Sequence, residues 1–339
     1  MKKFVKKHKN TFNIVVLLII TLIVLVLALK DDFDEIIYNL KTLHIGYLSL
    51  AFLMVIIYWL LRSVALHKAT KQFKKDNKYL SSLQLMLRTQ FFNAVTPFST
   101  GGQPYQVYYL MKQGLSSAVA TNVIIQNFIV YQIALVSLGI CAVIYNFVFH
   151  IFDKVSLLQH LVLLGFLCNT IVIVVMFIVS FSKKLNKKII SLGIRVLTKL
   201  HLVKNKQKKL DEWDQKINEF HEGAKVLLKN KLEFAKTIVY NLIALICLYS
   251  IPVFLLFSMG DFTSYSITTA IVTSAYVMLI GSFVPIPGAS GGLEYGFLSF
   301  YGNFIGGATL KTIMLLWRFV TYYFGLIVGS IALNMKRVK

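Results

Sequence analysis

The sequence predicts an all-α polytopic membrane protein with about six full spans plus two re-entrant helical hairpins in an inverted-topology repeat. Three observations lead there. Of the 339 residues, 57% are hydrophobic, against roughly 45–50% in soluble domains with glycine counted. Only 15% are charged, and 36 Lys and Arg face 14 Asp and Glu, with the basic residues gathered beside apolar runs as the positive-inside rule requires. Two further apolar segments are each interrupted by Pro and paired Gly, in similar local sequence.

Taken in order, the first span covers 13–29. It follows Lys2, Lys3, Lys6, Lys7 and Lys9, and Lys30-Asp31-Asp32 succeeds it without a small-x-small cleavage pattern, so it reads as an uncleaved anchor rather than a signal peptide. Further spans are expected at about 45–66, 118–149, 158–182, 234–258 and 308–334, each near the ~20 apolar residues that a bilayer demands. Residues 81–111 carry TPFSTGGQPY and residues 265–305 carry PIPGASGGLEY. Pro removes a helical donor and Gly is costly to fix in a helix, so each segment breaks into two arms too short to cross. With the N-terminus cytoplasmic, one hairpin entering from each side places the basic clusters at 62–78, 183–231 and 336–339 inside. The resulting expectation is a multi-pass protein of the bacterial cytoplasmic membrane, with both termini cytoplasmic.

The two breaks align with an offset of 190 residues between Pro97 and Pro287, sharing Pro, both glycines and a tyrosine. Applied to unit 45–149, that offset gives 235–339, each unit being span, hairpin, span. Three crossings separate their starts, so the copies face opposite ways, as in transporters whose site lies between broken helices near the midplane. Two glycine-rich turns that serve only close helix packing are the alternative. Between the units, the basic segment 183–233 carries Leu210, Trp213, Ile217, Phe220, Ala224 and Leu227 on one helical face. That helix either lies on the anionic inner leaflet or packs beneath the membrane domain.

The composition also excludes functions. The basic residues flank spans rather than lining a soluble face, so nucleic acid is not a partner. No GxxxxGK[ST] loop, HExxH or GxSxG occurs, Cys141, Cys168 and Cys247 are single and intramembrane, and the histidines are scattered, so no catalytic residue, metal site or cofactor is expected. Ionisable residues at membrane depth are costly and therefore informative. Arg88 lies on the first hairpin, Glu294 follows Gly291-Gly292, and Arg318 lies midway along the last span. Glu294 and Arg318 either pair with each other or meet a lipid headgroup. The arms after Gly102 and Gly292 offer helix N-termini that favour anions, with Ser99, Thr100 and Ser290 adding hydroxyls. Gln126, Asn127, Gln132 and Asn241 either face a central cavity or bond neighbouring helices.

The segments TPFSTGGQPYQVYYL, PIPGASGGLEYGF and WRFVTYY resemble the transmembrane flippase-like domain of lysylphosphatidylglycerol synthases, the multiple peptide resistance factors of bacteria, and its standalone relatives. The resemblance implies translocation of an anionic or aminoacylated phospholipid between leaflets by alternating access of a midplane cavity. It carries over a substrate-binding set of Pro97, Ser99, Thr100, Gly101, Gly102 and Tyr105 in one hairpin and Pro287, Ser290, Gly291, Gly292, Glu294 and Tyr295 in the other. Arg88 and Arg318 join that set as buried cations. The family's soluble lysyltransferase domain has no counterpart before Lys339. A membrane component of a phosphatidylglycerol lysyltransferase, completed by a separate soluble transferase, is the alternative, and a homodimer stays open.

Overall fold

The computed structural model describes residues 32–152, 155–199, 206–282 and 284–338; the span expected at 13–29 lies outside them. Every regular element among the described residues is helical, and the chain is an all-α polytopic membrane protein. Helix α1 (Phe33–Lys41) precedes α2 (Ile45–Lys71); α3 (Tyr79–Val95), a tight turn at 97–99 and α4 (Gly102–Lys112) form the first hairpin; α5 (Ser117–Phe149) and α6 (Ser156–Phe181) follow. Two polar helices, α7 (Lys183–Lys199) and α8 (Lys206–Lys229), lead to α9 (Lys231–Tyr249) and α10 (Ile251–Ser258). The second hairpin is α11 (Ile267–Gly281), a turn at 287–289 and α12 (Gly292–Tyr301), and the last stretch is α13 (Gly307–Arg318), a π-helical turn and α14 (Phe324–Asn334).

Length decides which helices cross. The 27 residues of α2 reach about 40 Å at a 1.5 Å rise, more than the ~30 Å hydrocarbon core. The hairpin arms α4 and α12, with 11 and 10 residues, reach only about 15 Å. Five stretches are long and apolar enough to span among the described residues: 45–71, 117–149, 157–181, 231–258 and 307–334. Two differ in detail from the continuous helices that the sequence suggests. The fourth breaks at Ser250, where Pro252 removes a helical donor. The fifth carries a π turn at Phe319–Tyr323 directly after Arg318, a local widening of the helix of the kind that often marks functional sites.

Helix packing falls into matched pairs. Within the first unit α2 packs on α3 and α5, α3 on α4, and α4 on α5; in the second, α10 packs on α11 and α13, α11 on α12, and α12 on α13. Across the units α3 meets α14 while α5 meets α11, α2 meets α9 and α10, and the two hairpin turns touch each other. The turns also share a backbone. Phe98 and Ser99, at φ 53° each, match Gly288 and Ala289, at φ 65° and 51°. Pairs of consecutive left-handed residues are rare in L-peptides, and both pairs directly follow the aligned prolines.

The core holds α2, α5, α9, α10, α11, α12 and α13 around Phe297, Phe300, Tyr301 and Phe152, all fully buried. Helix α8 docks on α5, α6 and α7. Asn122 Nδ2 donates to the Phe220 carbonyl at 2.7 Å and Gln126 Nε2 to the Gly223 carbonyl at 2.9 Å, while Ile217 is buried and Trp213 half-exposed. The amphipathic helix therefore packs against the helical bundle. Gln126 thus bonds a neighbouring helix, as does Gln132, which donates to Asn169 Oδ1 at 3.2 Å.

Candidate functional site

The touching hairpin turns close one side of a cavity of ≈ 360 Å³, within the range typical of small-ligand sites. Helices from both units wall it. Gln90, Asn93 and Ser99 come from the first hairpin, Ser282, Gly288 and Leu293 from the second, and Arg318 and Tyr322 from the last stretch. Tyr58, Tyr131 and Tyr249 add three phenols from α2, α5 and α9. In an interior otherwise built of Leu, Ile and Phe, such a concentration of polar groups marks a place for something other than lipid tails.

Arg318 and Glu294 are the charged pair at its edge. Arg318 Nε lies 2.8 Å from Glu294 Oε1, with side chains only 4% and 7% exposed. The guanidinium also donates through Nη2 to the Gly288 carbonyl at 2.9 Å and to Ser290 Oγ at 3.3 Å, so it stitches α13 to the second turn. Glu294 Oε2 accepts from the Gly291 amide at 2.7 Å, capping α12 from its own third residue. In the first hairpin Thr96 Oγ1 accepts from the Gly101 amide at 2.8 Å, and Thr100 Oγ1 donates to the Pro97 carbonyl at 2.9 Å. Each turn therefore meets one helix-terminal N–H with an oxygen of its own.

The remaining sequence-selected residues divide. Ser99 lines the cavity beside Gly288, and Pro97 and Pro287 set the turns that bring these two together. Gly102 and Gly292 begin their arms where a Cβ would strike Asn93 of the facing arm and Val284 of the segment before the second turn, respectively. Tyr105 stacks on Phe92 at 4.1 Å inside the first hairpin, and Tyr295 is 61% exposed on the outer face of α12, so neither reaches the cavity. Arg88 is 3% exposed and turns its donors the other way. Its Nε donates to the Ala332 carbonyl at 2.9 Å and its Nη2 to the Met335 carbonyl at 2.6 Å. Both carbonyls lie at the end of α14, where a cation suits the dipole, and the one at Ala332 also accepts from the Met335 amide. Arg88→Met is expected to lower stability by about 1.5–3 kcal/mol, the usual worth of charged hydrogen bonds, with Arg88→Lys between. Thermal unfolding in detergent checks this, and unchanged unfolding in Arg88→Met would refute the capping role.

Sequence reasoning missed Tyr58, Tyr131, Tyr249, Gln90 and Asn93. Aromatic residues inside apolar runs carry no signal of which way they face, whereas Gln90 and Asn93 were visible as amides one turn apart on a hairpin arm.

The comparisons with known proteins agree with this architecture. Residues 13–329 match the model of the lysylphosphatidylglycerol synthase TM region. The chain is also similar to a UPF0104 membrane protein of Archaeoglobus fulgidus, with 22% identity over 295 residues, covering 86% of this chain and 87% of the relative. With both hairpins and the paired charges inside the matched residues, the chain belongs to the family of the lysylphosphatidylglycerol synthase TM region.

Proposed function

We propose that the protein moves a phospholipid or lipid-linked headgroup, such as that of an aminoacyl-phosphatidylglycerol, between the leaflets of the membrane. The observation that carries this reading is the cavity that the touching hairpin turns close on one side, walled by both units and bearing Arg318, Gln90, Asn93 and three phenols among apolar side chains. The matched packing pairs and the repeated left-handed turns support an inverted repeat, whose rocking opens the shared cavity alternately to each side. In this mechanism the headgroup occupies the cavity while its acyl chains stay in lipid. The Arg318–Glu294 pair sits at the wall, its guanidinium facing a phosphate and its carboxylate an ammonium as the second turn moves.

The test is leaflet exchange in proteoliposomes of purified protein with fluorescent lipids differing in headgroup. Headgroup-selective exchange above that of protein-free vesicles is expected. Folded protein that moves no lipid in the panel would refute the proposal.

A further inference from the structure

The inward-facing arginines of this protein, Arg88 and Arg318 buried and Arg62 half-buried, differ in how far their charge is met. Arg318 has Glu294, and Arg88 has two helix-end carbonyls. Arg62 has neither. On α2, one turn beyond Tyr58 of the cavity wall, its Nη1 donates to Asn241 Oδ1 at 2.7 Å and its guanidinium lies 3.9 Å from the centre of the Tyr131 ring. Its Nε is buried without a partner. Glu233, which lines the small void of this seam, is taken by Lys68 at 2.5 Å and Lys236 at 3.1 Å, and among the described residues no carboxylate pairs with Arg62. The sequence counts Arg62 with the basic cluster that sets topology; the fold turns it inward instead.

Its surroundings continue as a polar file. Asn241 is fully buried, and its Nδ2 donates to the Thr237 carbonyl at 2.8 Å, which leaves Oδ1 aimed at Arg62. One turn from Tyr131 and from Asn241 respectively, Asn127 and Thr237 line a small void of ≈ 10 Å³ together with Gln126, enough for about one water. Gln126 and Asn127 are 2% and 4% exposed, and the side-chain oxygens of both lack partners. Three unmet polar groups thus follow one seam between α2, α5 and α9, from the Lys68 end up to the phenols of the central cavity. Buried groups of this kind are normally satisfied; the two amide oxygens are acceptors that a water in the small void can serve, whereas Arg62 Nε is an unmet cationic donor that calls for an acceptor.

We infer that Arg62, which lies behind the cavity-lining Tyr58 and Tyr131 on their Lys68 side rather than in the cavity wall itself, is an anion-holding station that receives the phosphodiester of a lipid headgroup against Tyr131 and Asn241. A guanidinium offers a planar pair of donors matched to phosphate oxygens, and the unpaired Nε with its neighbouring Nη supplies such a pair. The inference rests on the lipid-translocation reading for the identity of its ligand, but binding and transport are separable.

The experiment is displacement of pyrene-labelled phosphatidylglycerol from the full-length protein in detergent micelles. Competitors are unlabelled phosphatidylglycerol, diacylglycerol, glycerol 3-phosphate and inorganic phosphate. Phosphatidylglycerol is expected to displace the probe at least tenfold better than diacylglycerol. Arg62→Gln is expected to erase that preference, and Arg62→Lys to keep part of it. Asn241→Asp, which sets a carboxylate against the guanidinium and keeps the side-chain shape, is expected to erase it too. Displacement by glycerol 3-phosphate as effective as that by phosphatidylglycerol supports the station with a soluble phosphate ester as its source; displacement by the lipid alone supports it with the lipid. A preference retained in Arg62→Gln or in Asn241→Asp, or missing from the wild type, overturns it. Because displacement reads binding alone, its failure is distinguishable from a failure of leaflet exchange.

Discussion

Replacing Glu294 with alanine is expected to destabilise the folded protein by about 3–5 kcal/mol, the penalty for leaving one partner of a buried pair uncompensated. Arg318 would remain 3% exposed in an apolar interior, its hydrogen bonds reduced to the Gly288 carbonyl and Ser290 and its guanidinium still over the Tyr322 ring at 4.8 Å. The same change frees the Gly291 amide at the start of α12, adding a lost cap to a lost countercharge. Replacing both residues, as Glu294→Ala with Arg318→Met, removes the stranded charge and is expected to recover a large part of the loss. Apparent unfolding temperatures of the two single variants and the double variant form the cycle that measures this coupling. Additive losses would mean that the 2.8 Å contact contributes nothing of its own.

Gly288→Val is expected to be nearly as damaging, at roughly 2–5 kcal/mol, from left-handed backbone strain and overpacking combined. Gly288 sits at φ 65°, and a Cβ there would run into the Tyr322 ring. Tyr322 is not free to move away, because its hydroxyl donates to the Ala94 carbonyl at 3.1 Å and so ties the last stretch to the first hairpin. Tyr322→Phe, which loses only that bond, is expected to cost about 1 kcal/mol. Adding Tyr322→Ala to Gly288→Val should relieve the collision but not the torsion. A Gly288→Val protein that unfolds at the wild-type temperature would contradict this account of how the two hairpins are held in contact.

Much of the fold was legible because its signals are local. Prolines and paired glycines broke the two hairpins where the sequence placed them, since a missing donor acts on its own turn. Glu294 and Arg318 stood out because charges at membrane depth are rare, and the structure brings them together. What stayed hidden depends on contacts far apart in sequence. Arg88 looked like a ligand residue, but its partners are carbonyls at 332 and 335, which have no side-chain signature. Arg62 looked like a topological lysine-equivalent, and only the fold shows it against Tyr131 and Asn241. The docking of α8 uses the backbone at Phe220 and Gly223, so its apolar face alone left leaflet and protein equally open. The π turn after Arg318 leaves the apolar pattern of the last span unbroken and was therefore invisible.

The central claim is that lipid headgroups pass through the cavity as the two hairpin turns move relative to each other. A cysteine pair across the touching turns, one within 97–99 and one within 287–289, tests it directly in a background where Cys141, Cys168 and Cys247 are alanine. Leaflet exchange in proteoliposomes is then measured with the pair reduced, oxidised and reduced again. Exchange that stops on oxidation and returns on reduction is the expected result; exchange that continues at an undiminished rate with the turns locked together would contradict the account.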